Sequence, residues 1–377
     1  MKLAIVTHNV IKGDGQGRAN YEITRRALEQ GHSVTLVADH IDTALVDLGA
    51  KWIPIQPRIL RKVNLFKVYE FAKRADTLLE KGLAREMDVI HGYGHTLSVP
   101  HHINTSQFVH AAWKRSPFHS AKQDKNLYGA YQWTYSTMNS KWEKVSFGQA
   151  KRVVAASHTV YQELQDIGVT RDRMSVVLNG VDLSEFHPAD PKPDRASLGL
   201  PGGDTPLAVF VGDIRSPRKN LESVLQALVN VPNLHLAVAG RVEGSPYPKM
   251  AADLGIADRV FFLDFRRDVA QILRACDFFV FPSRYEACAL VILEAIASGL
   301  PVITATTTGG SEVLTPECGI LLSESDDVPG LTRAMAELAG DPERRQRMSK
   351  AAWDRAQLYT WNNIADQYLD LYREVAA

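Results

Sequence analysis

Two glutamates, Glu286 and Glu294, stand eight residues apart in the segment PSRYEACALVILEAIASGLPVI, residues 282–303. On one continuous helix that spacing turns them about 80° away from each other, which makes a poor pair. If Glu286 sits in a loop and Glu294 one turn inside a helix running from about Leu290 to Ser298, both border one ligand. The first N–H groups of that helix, at Cys288, Ala289, Leu290 and Val291, would then lie between the carboxylates, open to a diphosphate. Carboxylates repel phosphate, so their natural partners there are sugar hydroxyls. The ordinary alternative is a capping Glu286 and a solvated Glu294.

A second segment, FVGDIRSPRKNLESVLQAL (210–228), places Arg215, Arg218 and Lys219 in a loop between a strand ending at Val211-Gly212 and a helix starting near Asn220-Leu221. A departing nucleoside diphosphate carries two to three negative charges, and fixed cations at that point lower the barrier to its departure. A merely solvated basic loop is the competing reading.

Both segments need strands to aim them. Short β-rich runs alternate with longer amphipathic stretches along the chain, the signature of parallel sheets with crossover helices. In the first half Leu3–Thr7, Ser33–Val37, Val89–His91, Gln107–His110 and Arg152–Ala156 read as strands. In the second half the strands are Leu207–Val211, Leu234–Ala239, Val260–Phe262, Phe278–Phe281, Val302–Thr304 and Gly319–Leu322. Asn20–Gln30 reads as a helix closed by Gly31. A stretch with five prolines and Gly202-Gly203 suggests a division into residues 1–187, a hinge at 188–206, and residues 207–360. The final helix, 361–377, is expected to pack back onto the first domain.

Length and composition agree with a globular protein of two domains: 377 residues, 45% hydrophobic and 23% charged. No apolar run is long enough to span a bilayer, the apolar stretch in MKLAIVTHNV is too short for a signal-peptide core and reads as a buried strand, and three cysteines carry no metal-ligand spacing. A cytoplasmic protein is the expectation. The net charge of zero conceals an asymmetry. Residues 1–188 hold 24 Lys/Arg against 18 Asp/Glu, and the remainder 19 against 25. Residues 51–85 hold nine Lys/Arg and three Asp/Glu, interleaved with Trp52, Ile59, Leu60, Leu65 and Phe66. That composition suits weak contact with an anionic membrane surface, at the inner membrane face, as well as it suits a solvated helix face. No basic recognition helix or aromatic platform points to nucleic acid.

The Pro-Ser, Tyr-Glu, second glutamate eight residues on, and Gly-Leu-Pro-Val ending of 282–302 resemble the E-x7-E signature of the family 4 glycosyltransferases. That resemblance implies an α/β GT-B fold, two facing Rossmann-like domains with a deep cleft between them, and transfer of a sugar with retained configuration. It places Glu286 beside the donor sugar and Glu294 on the nucleotide ribose. Lys219 before Asn220 matches the family's lysine, whereas Asp213 stands where an arginine is usual, so Arg215 or Arg218 would supply that charge. Ala287-Cys288-Ala289 replaces the family's glycine-aromatic-glycine run. Gly240 with Arg241 resembles the strand end flanking the nucleotide base, and Phe262–Arg266, with Phe265, resembles the segment that contacts it. Gly309-Gly310-Ser311-Glu312 resembles a loop near the donor. In Lys12–Arg18, Gly15 and Gly17 would approach the donor phosphates, and His110 would end a strand close to the reacting sugar. Asn179-Gly180 resembles a turn that shapes the crossover between domains.

The implied reaction moves a sugar from a nucleoside-diphosphate sugar, UDP-linked first and GDP-mannose next, to a hydroxyl of a glycan, a lipid-linked acceptor or a small metabolite. No Asp-x-Asp occurs to hold Mg²⁺, so neither metal nor cofactor is expected. A non-catalytic nucleotide-sugar-binding subunit and a nucleotide-sugar epimerase are the rival readings.

Overall fold

The computed structural model describes every residue except 14, 57–62 and 124. The chain forms two compact units, residues 1–180 with Trp361–Ala377, and residues Val181–Thr360.

The first unit is built on a seven-stranded parallel sheet. Its order is Lys51–Pro54, Ser33–Ala38, Lys2–Val6, Val89–Tyr93, His101–Ser106, Ala150–Ala155 and Met174–Val176. The register pairs Lys2 with Ser33 on one side and Leu3 with Val89 on the other. The strand order therefore reverses beside the first strand. Val6, Val37, Ile90 and Phe71 pack in one apolar cluster beneath the Asn64–Leu78 helix.

Two strands here escape a hydrophobicity pattern. Lys51–Pro54 is a mostly exposed edge strand that ends in proline, a residue edges tolerate. His101–Ser106 is polar yet buried, because its side chains find partners: Asn104 donates to Gly94 O and Ser146 Oγ, and Thr105 Oγ1 meets His91 Nε2. Gln107–His110, read as a strand from the sequence, is not one. The chain leaves the sheet at Ser106, and His110 opens a short helix, His110–Arg115.

The last helix, Trp361–Ala376, belongs to this first unit. Arg26 donates two bonds to Asp366, both 2.8 Å, and Tyr372 Oη lies 2.7 Å from the Nδ1 of buried His91. Gly180 makes room for the returning chain, since a Cβ there would fall 2.8 Å from Trp361 Cα. In the basic 51–85 stretch, Trp52, Phe66 and Tyr69 are exposed while Val68, Phe71 and Ala75 face inward. Ile59 and Leu60 fall outside the described residues.

The second unit carries a six-stranded parallel sheet ordered Val260–Phe262, His235–Ala239, Leu207–Val211, Phe278–Phe281, Val302–Ala305 and Gly319–Leu322. That is the doubly wound 3-2-1-4-5-6 order, with its reversal between the 207–211 and 278–281 strands. All four residues of Phe278–Phe281 are buried, as a central parallel strand requires. The proline-rich 188–206 segment, expected as a hinge, is part of this unit. Lys192 and Arg195 both bind Asp277, each at 2.8 Å, and Arg195 also donates to Thr205 O. These bonds tie the segment down where proline content alone suggests a linker.

Candidate functional site

In an open doubly wound sheet, ligands bind outside the carboxyl ends of the strands where the order reverses. In the second unit that place is occupied by the two loops the sequence singles out, 212–220 after one strand and 282–289 after the next. They are laced together. Arg284 N–H donates to Arg218 O (2.9 Å), and Ser283 Oγ donates to the same carbonyl (3.1 Å).

Asn220 is the knot. It takes a left-handed conformation (φ 63°), is fully buried, and donates to both Pro282 O and Ser325 O while its Oδ1 caps the following helix at Ser223. Asparagine is among the few residues that adopt this conformation readily. Its fixed backbone aims the preceding residue, Lys219, inward. Lys219 Nζ donates to Glu286 Oε1 at 2.5 Å and stands 5.2 Å from the centroid of the Phe281 ring. Burial pulls its ammonium below the ordinary lysine range against the opposing pull of Glu286.

Arg218 reaches the same carboxylate oxygen at 2.5 Å and also donates to Tyr285 O. Arg215 goes elsewhere. It grips Asp213 through both Nε and Nη2, at 2.9 and 2.8 Å, at the surface. That guanidinium holds the Asp213 carboxyl down to about 2. Of the two arginines offered for the missing charge, Arg218 joins Lys219, and Arg215 is neutralised by the aspartate that replaced the family's arginine.

Glu286 lies in the loop and Glu294 inside the helix Leu290–Ala297. Ala289, the residue before that helix, supplies no side-chain cap. Its own N–H is taken by Gly309 O at 2.8 Å, which corrects the expectation of an open N–H at that position. The N–H groups of Leu290 and Val291, in the first turn, precede the point at which intrahelical bonding begins. The Gly309-Gly310 pair supports the loop from below: Gly309 N–H donates to Glu286 O, and a Cβ on Gly309 would fall 2.2 Å from Ala287 O. Glycine is thus required in the supporting turn, while Ala287, Cys288 and Ala289 occupy the loop itself.

Beside the cations opens a cavity of about 440 Å³ lined by Val211, Gly212, Asp213, Arg215, Ala239, Gly240, Arg241, Phe265, Arg266 and Val269. Its floor depends on Gly240, where a Cβ would fall 2.0 Å from Gly212 O. Asp264 adopts φ 57°, its carboxylate accepts Val242 N–H, and its carbonyl accepts Gly240 N–H. That turn leaves Phe265 largely exposed at the cavity wall. Arg266, the last residue of the segment matched to the base, pairs with Asp268, whereas Phe281 under Lys219 was not singled out from the sequence.

Gly15, Gly17 and His110 lie in the first unit. Gly15 and Gly17 form the first turn of the helix Gly15–Glu29, which starts five residues earlier than the sequence pattern suggests; Asp14 lies outside the described residues. His110 Nδ1 is 2.6 Å from Glu143 Oε1, and its backbone N–H donates to Glu143 Oε2 at 2.9 Å. Buried Glu143 therefore holds His110 at both its ring and its backbone. A glutamate thirty-three residues away, inside a helix, gave no signal in the sequence. His95 stands T-shaped to His110, ring centroids 5.9 Å apart, and burial holds it neutral.

With this geometry in place, comparison with known proteins is direct. Residues 193–355 match the family model of glycosyl transferases group 1, and residues 13–185 match that of glycosyltransferase family 4. Among relatives, a D-inositol 3-phosphate glycosyltransferase of Nocardia farcinica is 32% identical over 244 residues, covering 61% of this chain and 54% of that protein. The enzyme of the same name from Mycobacterium marinum is 36% identical over 217 residues, covering 53% and 45%. The chain spans about half the length of the curated relatives it matches. Among solved structures, sucrose-phosphate synthase from Thermosynechococcus elongatus superposes with a TM-score of 0.79 at 20% identity, covering 99% of this chain and 98% of that one. WaaG, a glycosyltransferase involved in lipopolysaccharide biosynthesis, gives 0.74 at 18% identity and 98% coverage of each. The chain belongs to the group 1 glycosyltransferases and has the GT-B fold.

Proposed function

We propose that the protein is a glycosyltransferase that moves a sugar from a nucleoside-diphosphate sugar to an acceptor hydroxyl with retention of configuration. The observation that carries this is the convergence of Lys219 and Arg218 on Glu286 at the sheet's reversal point, beside a cavity of nucleotide size. In this reading the base and ribose enter the cavity over Gly212 and Gly240, against Arg241 and Phe265. The diphosphate lies between the cation pair and the first turn of the Leu290–Ala297 helix, where aligned peptide dipoles favour negative charge. Glu286 orients both cations and turns its remaining lone pairs to donor-sugar hydroxyls; Glu294 binds the ribose. His110, held by Glu143, orients the reacting sugar. Gly15 and Gly17, without side chains, make the close approaches to the donor phosphates.

The cation pair does the work of a divalent ion on the leaving diphosphate, so transfer proceeds in the presence of EDTA. A UDP-sugar is the first donor to test and GDP-mannose the second, by thermal shift with UDP-, GDP- and ADP-sugars, since a ligand that binds only the folded chain raises its melting temperature. The names of the relatives put a small polyol phosphate first among acceptors, ahead of glycan and lipid-linked hydroxyls. Weak contact of residues 51–85 with anionic membrane belongs to the same reading and fails if the protein does not float with anionic vesicles.

Lys219→Ala tests the core of the proposal. Loss of one preorganised charge-stabilising donor costs about 10²–10³-fold in kcat; a variant that transfers at the full rate removes Lys219 from the mechanism. One observation favours a second reading, a subunit that binds nucleotide-sugar without turnover: Asp213 occupies the position of an expected arginine and consumes Arg215. Donor hydrolysis by the isolated protein argues against it. Product analysis with donor alone separates an epimerase.

A further inference from the structure

At the reversal point of the first unit's sheet, three side chains from three separate elements meet. His95 follows the Val89–Tyr93 strand, His110 opens the His110–Arg115 helix, and Glu143 projects from the Leu127–Gln149 helix. One nitrogen or carboxylate oxygen from each lies within 4.8 Å of the others. His95 Nε2 is buried and meets no hydrogen-bond partner, although a buried polar atom is ordinarily paired.

We propose that His95, His110 and Glu143 bind a divalent transition metal, Zn²⁺ above all, and that the occupied site takes His110 out of the transferase. Two imidazoles and a carboxylate are an ordinary Zn²⁺ donor set, with bonds of about 2.0–2.2 Å and a fourth position left for water. A tetrahedron with such bonds puts its donor atoms roughly 3.3 Å apart, so a modest contraction of the present cluster closes it. The carboxylate is already oriented, because Glu143 Oε2 accepts the His110 backbone N–H at 2.9 Å. Glu143 Oε1 now faces His110 Nδ1 at 2.6 Å. An ion entering between them replaces that hydrogen bond with two coordination bonds, and the imidazole moves its proton to the other ring nitrogen.

Size selects an ion over a sugar. His95 Nε2 is closed to solvent, so a hydroxyl on a hexose or polyol cannot reach it, whereas a bare ion held by three donors can. Metal binding stands on these residues alone; only the inhibitory consequence rests on the transferase reading.

The full chain, stripped with EDTA, is titrated with Zn²⁺ in competition with a chromophoric chelator. One ion per chain is expected, with affinity falling at least tenfold in His95→Asn and in Glu143→Gln and unchanged in His187→Asn of the second unit. Thermal unfolding checks that each variant folds. Where one does not, Zn-edge X-ray absorption of the wild-type complex decides: two imidazoles per ion are expected, and none or one overturns the proposal. Binding that survives both variants, or no Zn²⁺ taken up by the EDTA-stripped wild-type chain, overturns it too. In the activity arm, Zn²⁺ slows sugar transfer and EDTA restores it. A chain that binds Zn²⁺ with this variant pattern but transfers no sugar refutes the transferase reading and leaves the metal site standing.

Discussion

His91 links the stability of the first unit to pH. Its imidazole is buried in the central strand Val89–Tyr93, with Nδ1 against Tyr372 Oη at 2.7 Å, Nε2 against Thr105 Oγ1 at 2.8 Å, and its ring stacked on Tyr93. Burial lowers its pKa to about 3 from an unfolded value of 6.5. A base with a depressed folded pKa binds fewer protons folded than unfolded. Its stability contribution is therefore complete above 6.5 and lost as pH falls toward 3. Between pH 7 and pH 5 the loss amounts to about 2 kcal/mol. His101, lowered to about 4 by its burial, adds a loss of nearly the same size over that interval. Five of the six tryptophans belong to the first unit, so tryptophan fluorescence in urea reports its unfolding. The other buried histidines of the unit, His101, His8 and His95, lose stability over the same interval, so the expected signature is that His91→Asn loses about 2 kcal/mol less than wild type from pH 7 to 5. The variant starts lower, because Tyr372 and Thr105 each lose a partner at about 1–3 kcal/mol per unsatisfied group. The diagnostic is the slope with pH, not the baseline. Equal slopes in wild type and variant would refute the assignment of this titration to His91.

Further outcomes follow from the same geometry. Gly240→Ala should abolish the thermal shift given by nucleotide-sugar and cost about 1–3 kcal/mol, since its Cβ meets the Gly212 carbonyl at 2.0 Å. Arg218→Ala should lower kcat by about 10²-fold. Arg215→Ala, which removes an exposed pair with Asp213 at the edge of the cavity, should leave the melting temperature essentially unchanged and kcat within a few-fold. Tyr372→Phe should destabilise the first unit by about 1–3 kcal/mol in the same urea assay, by leaving His91 Nδ1 unpaired.

Much of the second unit was legible because each of its strands is an apolar run bounded by turn residues. Phe278–Phe281 and Val302–Ala305 are buried at every position, so composition alone marks them. The first unit was harder. His101–Ser106 is a buried strand made of polar residues whose partners lie elsewhere in sequence, Ser146 forty-two residues on and His91 ten before the strand. No local pattern announces such a strand, and the neighbouring Gln107–His110, with Phe108 and Val109 at its centre, looks the better one. The start of the first helix was misread for the opposite reason. Gly15 and Gly17 are weak helix formers, yet Gly17 is buried in that helix, so packing overrides propensity. Proline content misled in the same way at 188–206, where Lys192 and Arg195 fasten the chain to Asp277.

The site shows how a departure from a family pattern is absorbed. Asp213 in place of arginine removes one cation and draws another away, since Arg215 folds back on it through two bonds. The proposed diphosphate position would then hold Lys219 alone were it not for Arg218, whose reach depends on the tight turn Ser216–Asn220. That turn is set by Ser216, whose hydroxyl caps Arg218 N–H, and by the left-handed Asn220, whose amide grips the opposite loop at Pro282. Arg218 therefore arrives at Glu286 from the same turn that delivers Lys219, and one carboxylate oxygen receives both. Asn220→Ala should then lower transfer by more than its own contacts with substrate explain, because it has none: the left-handed turn relaxes and both cations lose their aim. Rescue by Asn220→Gly, which restores the backbone conformation but not the side-chain bonds, separates the two contributions. If kcat recovers with glycine, the turn itself positions the clamp; if it does not, the Asn220 bonds to Pro282 and Ser325 hold the two loops together. A variant Asn220→Ala with unchanged kcat would refute the dependence of the cation pair on this turn.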